Sequence, residues 1–427
     1  MFGSATRHLL KNSGAVFILR LLGMGLSYVA IMFIGNQFGA TVYGRFSLLQ
    51  ALLQFSVVIF SLGIDILTVK LTADLRFFEN KTPKNTYLLN AFLVLLGTGL
   101  LGSFLFYLLK EPLAIKVFKD PNLVAYFDFL WLFFLGALFH NFLAEFLRGR
   151  HRFVGYGFFK FLLPPLIFLV LIYLFWEQDY AESSLFLAYL LGFVALVVPL
   201  LYFVPFKRLN TSSKYSRKEM LRIAFPMMFS AAFLFLSNWT DVFMLGAMVS
   251  KADVGIYNTA YKLAIIALVA INAVNTILGP KISQLFSTDN HEAIRKEVQR
   301  ATKLITYITL PITTILIVFG KYFLSLFGEA FVAGYSALVI IAIGLLFNAM
   351  SGSVGQVLNM TQHQQILKRF TIISVVVNIV LNYILIKQLG YIGAAYASVV
   401  SNITLNLLCV FYIRKHLAFN AFFIPWK

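Results

Sequence analysis

The chain has 427 residues, 60% of them hydrophobic and only 12% charged, with a mean hydropathy of +0.84. Soluble globular domains lie far from that balance, so the composition specifies an integral membrane protein and excludes a water-soluble enzyme or binding module. The formal net charge of +18 would suit a nucleic-acid partner only as a basic face interleaved with aromatics, and the sequence has none.

Apolar runs of roughly 20 residues, each able to cross about 30 Å of hydrocarbon as a helix, recur along the whole chain. They fall at 13–35, 46–69, 87–109, 125–147, 155–176, 184–206, 223–249, 257–279, 302–320, 336–359, 370–388 and 393–413, which predicts an all-α fold of about twelve transmembrane helices. The first run is too long for a removable signal peptide and lacks a small-residue cleavage site, so it reads as the first span. It carries Arg20, which needs a partner, a wet cavity or a snorkelling path to the interface, because a central arginine is costly in lipid. Asp65 lies at a comparable depth on the second, antiparallel span, within reach of pairing with it.

At 100° per residue, Ser47, Gln50, Gln54, Ser61, Asp65 and Thr68 share one face of the second span. Asn258, Tyr261, Lys262, Asn272 and Thr276 form a similar stripe on the eighth. Such a stripe faces either another helix, by interhelical hydrogen bonding, or a water-filled cavity. The two stripes occupy related places: TVYGRFSLLQAL at 41–52 aligns with ADVGIYNTAYKL at 252–263, setting Gly44 on Gly255, as in transporters built from two halves. That repetition favours a central cavity. Asp241, on the seventh span with Ser230 and Ser237, is placed to pair with Lys262.

The remaining polar residues read as packing. His140 and His363 fit hydrogen-bonded side chains rather than catalysts, and the i,i+4 pairs Asn378/Asn382 and Asn402/Asn406 fit interhelical glue. Pro164, Pro165, Pro199, Pro226 and Pro311 predict kinks. Cys409 is the single cysteine, so neither an internal disulfide nor a cysteine-rich metal site is expected. Short loops, with no nucleophile, base and orienter set and no phosphate-cradling glycine loop, disfavour an enzyme, and no cofactor or metal is expected. Of the Lys and Arg residues, Arg20, Lys160 and Lys262 lie well inside the predicted spans. The others concentrate on one side, with KRLNTSSKYSRKEMLR at 207–222 and RGRHRF at 148–153 as the strongest markers, which places both termini in the cytoplasm. The expected organisation is a six-helix bundle over 1–206, a basic cytoplasmic linker over 207–222, and a second six-helix bundle with a cytoplasmic tail over 223–427.

The segments LRLLGMGLSYVAIMFIGNQFGATVYGRFSLLQ, LSNWTDVFMLGAMVSKADVGIYNTAYKL with PKISQLFS, and VVNIVLNYILIKQLGYIGAAYAS resemble the polysaccharide flippases of the multidrug/oligosaccharidyl-lipid/polysaccharide (MOP) exporter superfamily, almost end to end. The resemblance implies two pseudo-symmetric six-helix bundles around a central cavity lined by spans 1, 2, 7 and 8. It also implies alternating access, and transfer of undecaprenyl-pyrophosphate-linked oligosaccharides across a bacterial inner membrane for O-antigen, capsule or a similar surface polysaccharide. The partners are then the lipid-linked glycan, membrane lipids, and the polymerase and glycosyltransferases of the same pathway, with no nucleic acid. Arg20, Ser47, Gln50, Gln54, Asp65, Asp241, Asn258, Tyr261, Lys262 and Asn272 are the candidate substrate and cavity residues. A cation-coupled multidrug exporter of the same superfamily is the alternative, and a membrane-embedded glycan-modifying enzyme a further one.

Overall fold

The structure, a computed structural model, describes residues 4–73, 84–178, 181–204 and 217–423. Every regular element among them is helical. In chain order the α-helices are α1 (Ser4–Phe60), α2 (Ile64–Ala73), α3 (Lys84–Glu111), α4 (Leu123–Gly149), α5 (Phe153–Gly157), α6 (Leu163–Glu177), α7 (Ser184–Val194) and α8 (Val197–Leu201). They continue with α9 (Arg217–Met248), α10 (Lys251–Ala264), α11 (Val269–Ser287), α12 (His291–Val318), α13 (Gly320–Ser325), α14 (Tyr335–Ser351), α15 (Val354–Met360), α16 (Gln364–Leu389) and α17 (Tyr391–His416).

Eleven helices among the described residues are long and apolar enough to cross a membrane, and the chain is a multi-pass membrane protein. The sequence predicts about twelve spans, and the difference lies in α1. A straight helix of its 57 residues would be about 85 Å long, far beyond one bilayer core of about 30 Å. Gly39 breaks it, with φ 80° and ψ 177°, a conformation that glycine adopts without steric penalty. The first predicted span lies before that break and the second after it. The second span is broken again at Ser61–Gly63, where Leu62 and Gly63 take positive φ (49° and 76°). A Cβ on Gly63 would lie 2.3 Å from the Ala224 carbonyl oxygen.

The basic segment predicted as a linker is partly helical. Residues 207–216 lie outside the described residues, while Arg217–Arg222 form the first turns of α9, and Arg217 Nε donates to Asn90 Oδ1 at 3.2 Å. The predicted tail is tied down as far as Phe423: Gln299 Nε2 donates to Asn420 O, Thr302 Oγ1 to Ala421 O, and Phe423 N to Met350 O.

The chain folds as two compact units, one of Met1–Ile34 with Leu48–Trp239 and one of Gly35–Ser47 with Thr240–Lys427. In the first, Leu88, Leu95, Phe142, Phe146, Leu200 and Ala224 belong to one buried apolar core. In the second, Ile282, Val298, Val357, Ile413 and Phe419 form another. Lipid tails are as apolar as leucine, so close packing rather than water exclusion holds such helices together, and small residues mark their crossings. In the second unit Gly44 faces the Lys251 carbonyl oxygen, 1.6 Å from where its Cβ would stand, and Gly255 faces the Ala40 carbonyl oxygen at 2.3 Å. The alignment that sets Gly44 on Gly255 also sets Ala40 on Lys251, so this crossing is reciprocal between repeat-related residues.

Candidate functional site

Within the first unit, Arg20 is exposed and its guanidinium carbon lies 5.6 Å from the Phe161 ring centroid, inside cation–π range. It does not make the pairing with Asp65 that their depths allowed. Asp65 accepts instead from Ser61 Oγ (3.1 Å) on Oδ1 and from Asn141 Nδ2 (3.0 Å) on Oδ2. Asp65 lies beyond both the Gly39 break and the turn at Ser61–Gly63, in α2, and its carboxylate meets Asn141 of α4. Asn141 Oδ1 in turn accepts from Lys160 Nζ, which also lies 3.5 Å from Glu145 Oε1. Glu145 closes the chain by pairing with Arg148 at 2.8 Å and accepting from Tyr156 Oη at 3.4 Å.

The stripe predicted on the second span is therefore interrupted. Gln50 and Gln54 both donate to Tyr189 Oη, at 3.1 and 3.3 Å. Ser61 and Asp65 turn to Asn141, and Thr68 shares a 2.7 Å hydrogen bond with Tyr87. These are contacts between helices, the packing alternative of the stripe reading.

In the second unit Ser47 is fully buried and donates back to Gly44 O at 3.0 Å. Asn258 Nδ2 donates to Tyr43 Oη at 3.2 Å, and the Lys262 ammonium lies 5.5 Å from the same Tyr43 ring. Tyr261 stacks on Tyr257, with centroids 6.1 Å apart. Asn272 is exposed.

Asp241 is the polar hub of this unit. It is 7% exposed, whereas Ser230 and Ser237, predicted on its face, are both exposed. Its partner is not Lys262. Oδ2 accepts from Tyr257 Oη at 2.5 Å and from Ser398 Oγ, and Oδ1 accepts from Asn382 Nδ2 at 2.7 Å and Asn378 Nδ2 at 3.2 Å. Four neutral donors from α10, α16 and α17 thus solvate one buried carboxylate, and charge-assisted bonds of this kind are about twice as strong as neutral ones. The sequence singled out Asn378 and Asn382 as interhelical glue, and that is how they act, but it did not connect them, Tyr257 or Ser398 to Asp241.

His140 is buried and hydrogen-bonded through Nε2 to Phe159 O at 3.0 Å, as a packing histidine should be. His363 bonds through Nδ1 to Thr361 at 3.1 Å. No group of three or more His, Cys, Asp or Glu residues able to hold a metal is found among the described residues.

Comparison with known proteins defines the class. Residues 9–286 match the polysaccharide biosynthesis protein family and residues 226–384 the MatE family. The chain belongs to the polysaccharide biosynthesis protein family. It is 24% identical over 414 residues to a probable low-salt glycan biosynthesis flippase, Agl15, of Haloferax volcanii, covering 95% of this chain and 84% of that protein. It is also 24% identical over 210 residues to the capsular polysaccharide biosynthesis protein CapF of Staphylococcus aureus, covering 49% and 52%. Its fold is that of an inward-facing multidrug-resistance MATE transporter (TM-score 0.78, 16% identity, 94% and 98% covered) and of the lipid II flippase MurJ (0.73, 16%, 95% and 87%).

Proposed function

We propose that this protein is a flippase that carries polyprenyl-linked oligosaccharides from the cytoplasmic to the outer leaflet by alternating access, and that it performs no bond chemistry. The observation that carries this reading is the family match over residues 9–286, strengthened by a glycan-biosynthesis flippase as a relative along nearly the whole chain. Undecaprenyl pyrophosphate as the carrier, a bacterial inner membrane with both termini cytoplasmic, and service to O-antigen, capsule or a similar polymer complete the proposal.

In it Arg20 is the first contact for the carrier phosphate. It is exposed, and no carboxylate among the described residues neutralises it. Lys262 is the later contact: lysine is a flexible point charge suited to release, where arginine would grip phosphate bidentately. An anion leaving a cell whose interior is negative gains about 2.3 kcal/mol per charge per 100 mV, so obligatory coupling to a counter-ion is not required.

The test is a chromosomal deletion in the native host. Loss of surface glycan with accumulation of lipid-linked oligosaccharide facing the cytoplasm is the expected phenotype, and unchanged surface glycan contradicts the proposal. The MatE match over 226–384 favours one second reading, a cation-coupled multidrug exporter. Raised drug sensitivity with intact surface glycan in the same deletion strain would select it.

A further inference from the structure

We infer that the second unit holds an uncharged binding pocket for one neutral sugar residue of the translocated glycan. The inference rests on the flippase reading for the identity of the ligand, and on the pocket itself for its chemistry.

A cavity of about 230 Å³ lies among α11, α14, α15, α16 and α17. Its polar wall consists of Asn275, Asn348, Ser353, Gln356, Asn402 and Asn406, and no charged residue lines it. At about 30 Å³ per molecule in the liquid, it would hold seven or so waters, the space of a single pyranose ring. Two of its polar atoms, Asn275 Oδ1 and Ser353 Oγ, are buried without a hydrogen-bond partner in the protein, a costly condition that a native structure relieves with a bound donor. The opposite side of the wall is already fixed. Asn402 Oδ1 accepts from Asn406 Nδ2 at 2.6 Å and from Asn348 Nδ2 at 3.3 Å, so these amides are pre-set rather than free to collapse inward.

Carboxamides both donate and accept, which matches the hydroxyl groups of a sugar, while Ile271, Leu367 and Leu405 offer an apolar surface to the ring's C–H face. A carboxylate-bearing sugar would lose its hydration here without meeting a cation, and burying an uncompensated charge is strongly unfavourable. The wall also recedes at Gly355, where an added Cβ would meet only Leu367 Cδ1, at 4.0 Å. The pocket therefore selects neutral sugars over uronic acids.

The test uses the full-length protein in lipid nanodiscs with a photoactivatable diazirine derivative of a methyl hexoside. Saturable cross-linking should map to the peptides spanning 348–356 and 402–409, and unlabelled methyl hexoside should compete at least 10-fold better than glucuronic acid. Gly355→Leu, which fills the cavity, and the double variant Asn275→Leu/Ser353→Ala, which removes the two acceptors, should each lower labelling at least 10-fold. Gly355→Leu should do so with thermal stability retained. Labelling unchanged in Gly355→Leu, equal competition by glucuronic acid, or no saturable labelling at these peptides would overturn the inference. Flipping of lipid-linked oligosaccharide by the wild-type protein in proteoliposomes separates the two levels. Flipping without pocket labelling refutes the pocket alone, whereas pocket labelling without flipping refutes the flippase reading and leaves a sugar site.

Discussion

Gly44→Ala probes the crossing of repeat-related glycines. The new Cβ would stand 1.6 Å from the Lys251 carbonyl oxygen and 2.6 Å from its carbon. Even a close C···O contact sits at about 3.3–3.6 Å, so the two helical segments must part by something near 2 Å. The obstacle is backbone and cannot rotate away. Overpacking of this kind costs about 1–3 kcal/mol and occasionally more, and a rigid carbonyl puts Gly44→Ala at the upper end. Alanine returns about 1 kcal/mol through its better helix propensity, which leaves a net loss of about 2 kcal/mol. Gly97→Ala is the matched control, a helical glycine whose added Cβ would meet nothing within 4 Å. Thermal unfolding in detergent, followed by size-exclusion recovery, should show Gly44→Ala several degrees below wild type and Gly97→Ala at or above it. Equal stability of the two variants would refute the claim that the glycine crossing holds the second unit together.

Asn382→Leu removes one of four donors from buried Asp241 and should cost about 1–3 kcal/mol, read by the same unfolding assay. Asn141→Leu cuts the link between Asp65 and Lys160 and should destabilise the first unit by a similar amount, measured as loss of protease resistance of fragments within 84–204. Lys262→Ala should weaken flipping with normal abundance, while Lys262→Arg keeps partial activity. Because Asp241 is engaged by Tyr257, Ser398, Asn378 and Asn382, the double variant Lys262→Ala/Asp241→Ala should combine the two losses rather than restore transport. Arg20→Ala, at normal abundance, should lower surface glycan, and unaltered glycan would remove Arg20 from the transport path.

The apolar runs, the membrane class and the repeat that sets Gly44 on Gly255 were legible in the sequence, because each is a local pattern. Partners were not, since Asp241 meets residues more than 130 positions away. Helix periodicity also fails wherever a helix changes its winding. The prediction carried one 100° step through residues 257–279, yet Ile265–Leu268 is a 3-10 turn. At three residues per turn, four residues advance the phase by about 80° beyond an α-helix. The phase of Thr276 leaves the stripe by that rotation, and beyond the turn Asn272 and Thr276 are both exposed while Asn275 lines the pocket. Likewise nothing in Leu62 announced a positive φ, although the neighbouring Gly63 permitted a turn there, and Asp65 lies just beyond that turn.

The most direct measurement of the central claim is reconstituted flipping. Purified protein is placed in proteoliposomes containing a polyprenyl-pyrophosphate-linked oligosaccharide, and a membrane-impermeant, glycan-specific reagent reports the fraction exposed on the outer leaflet over time. The account predicts complete accessibility on a timescale at which protein-free vesicles expose only the outer half, without an imposed proton or sodium gradient. Accessibility that stays at the protein-free level with folded protein present, under an outward-favouring membrane potential, would contradict it.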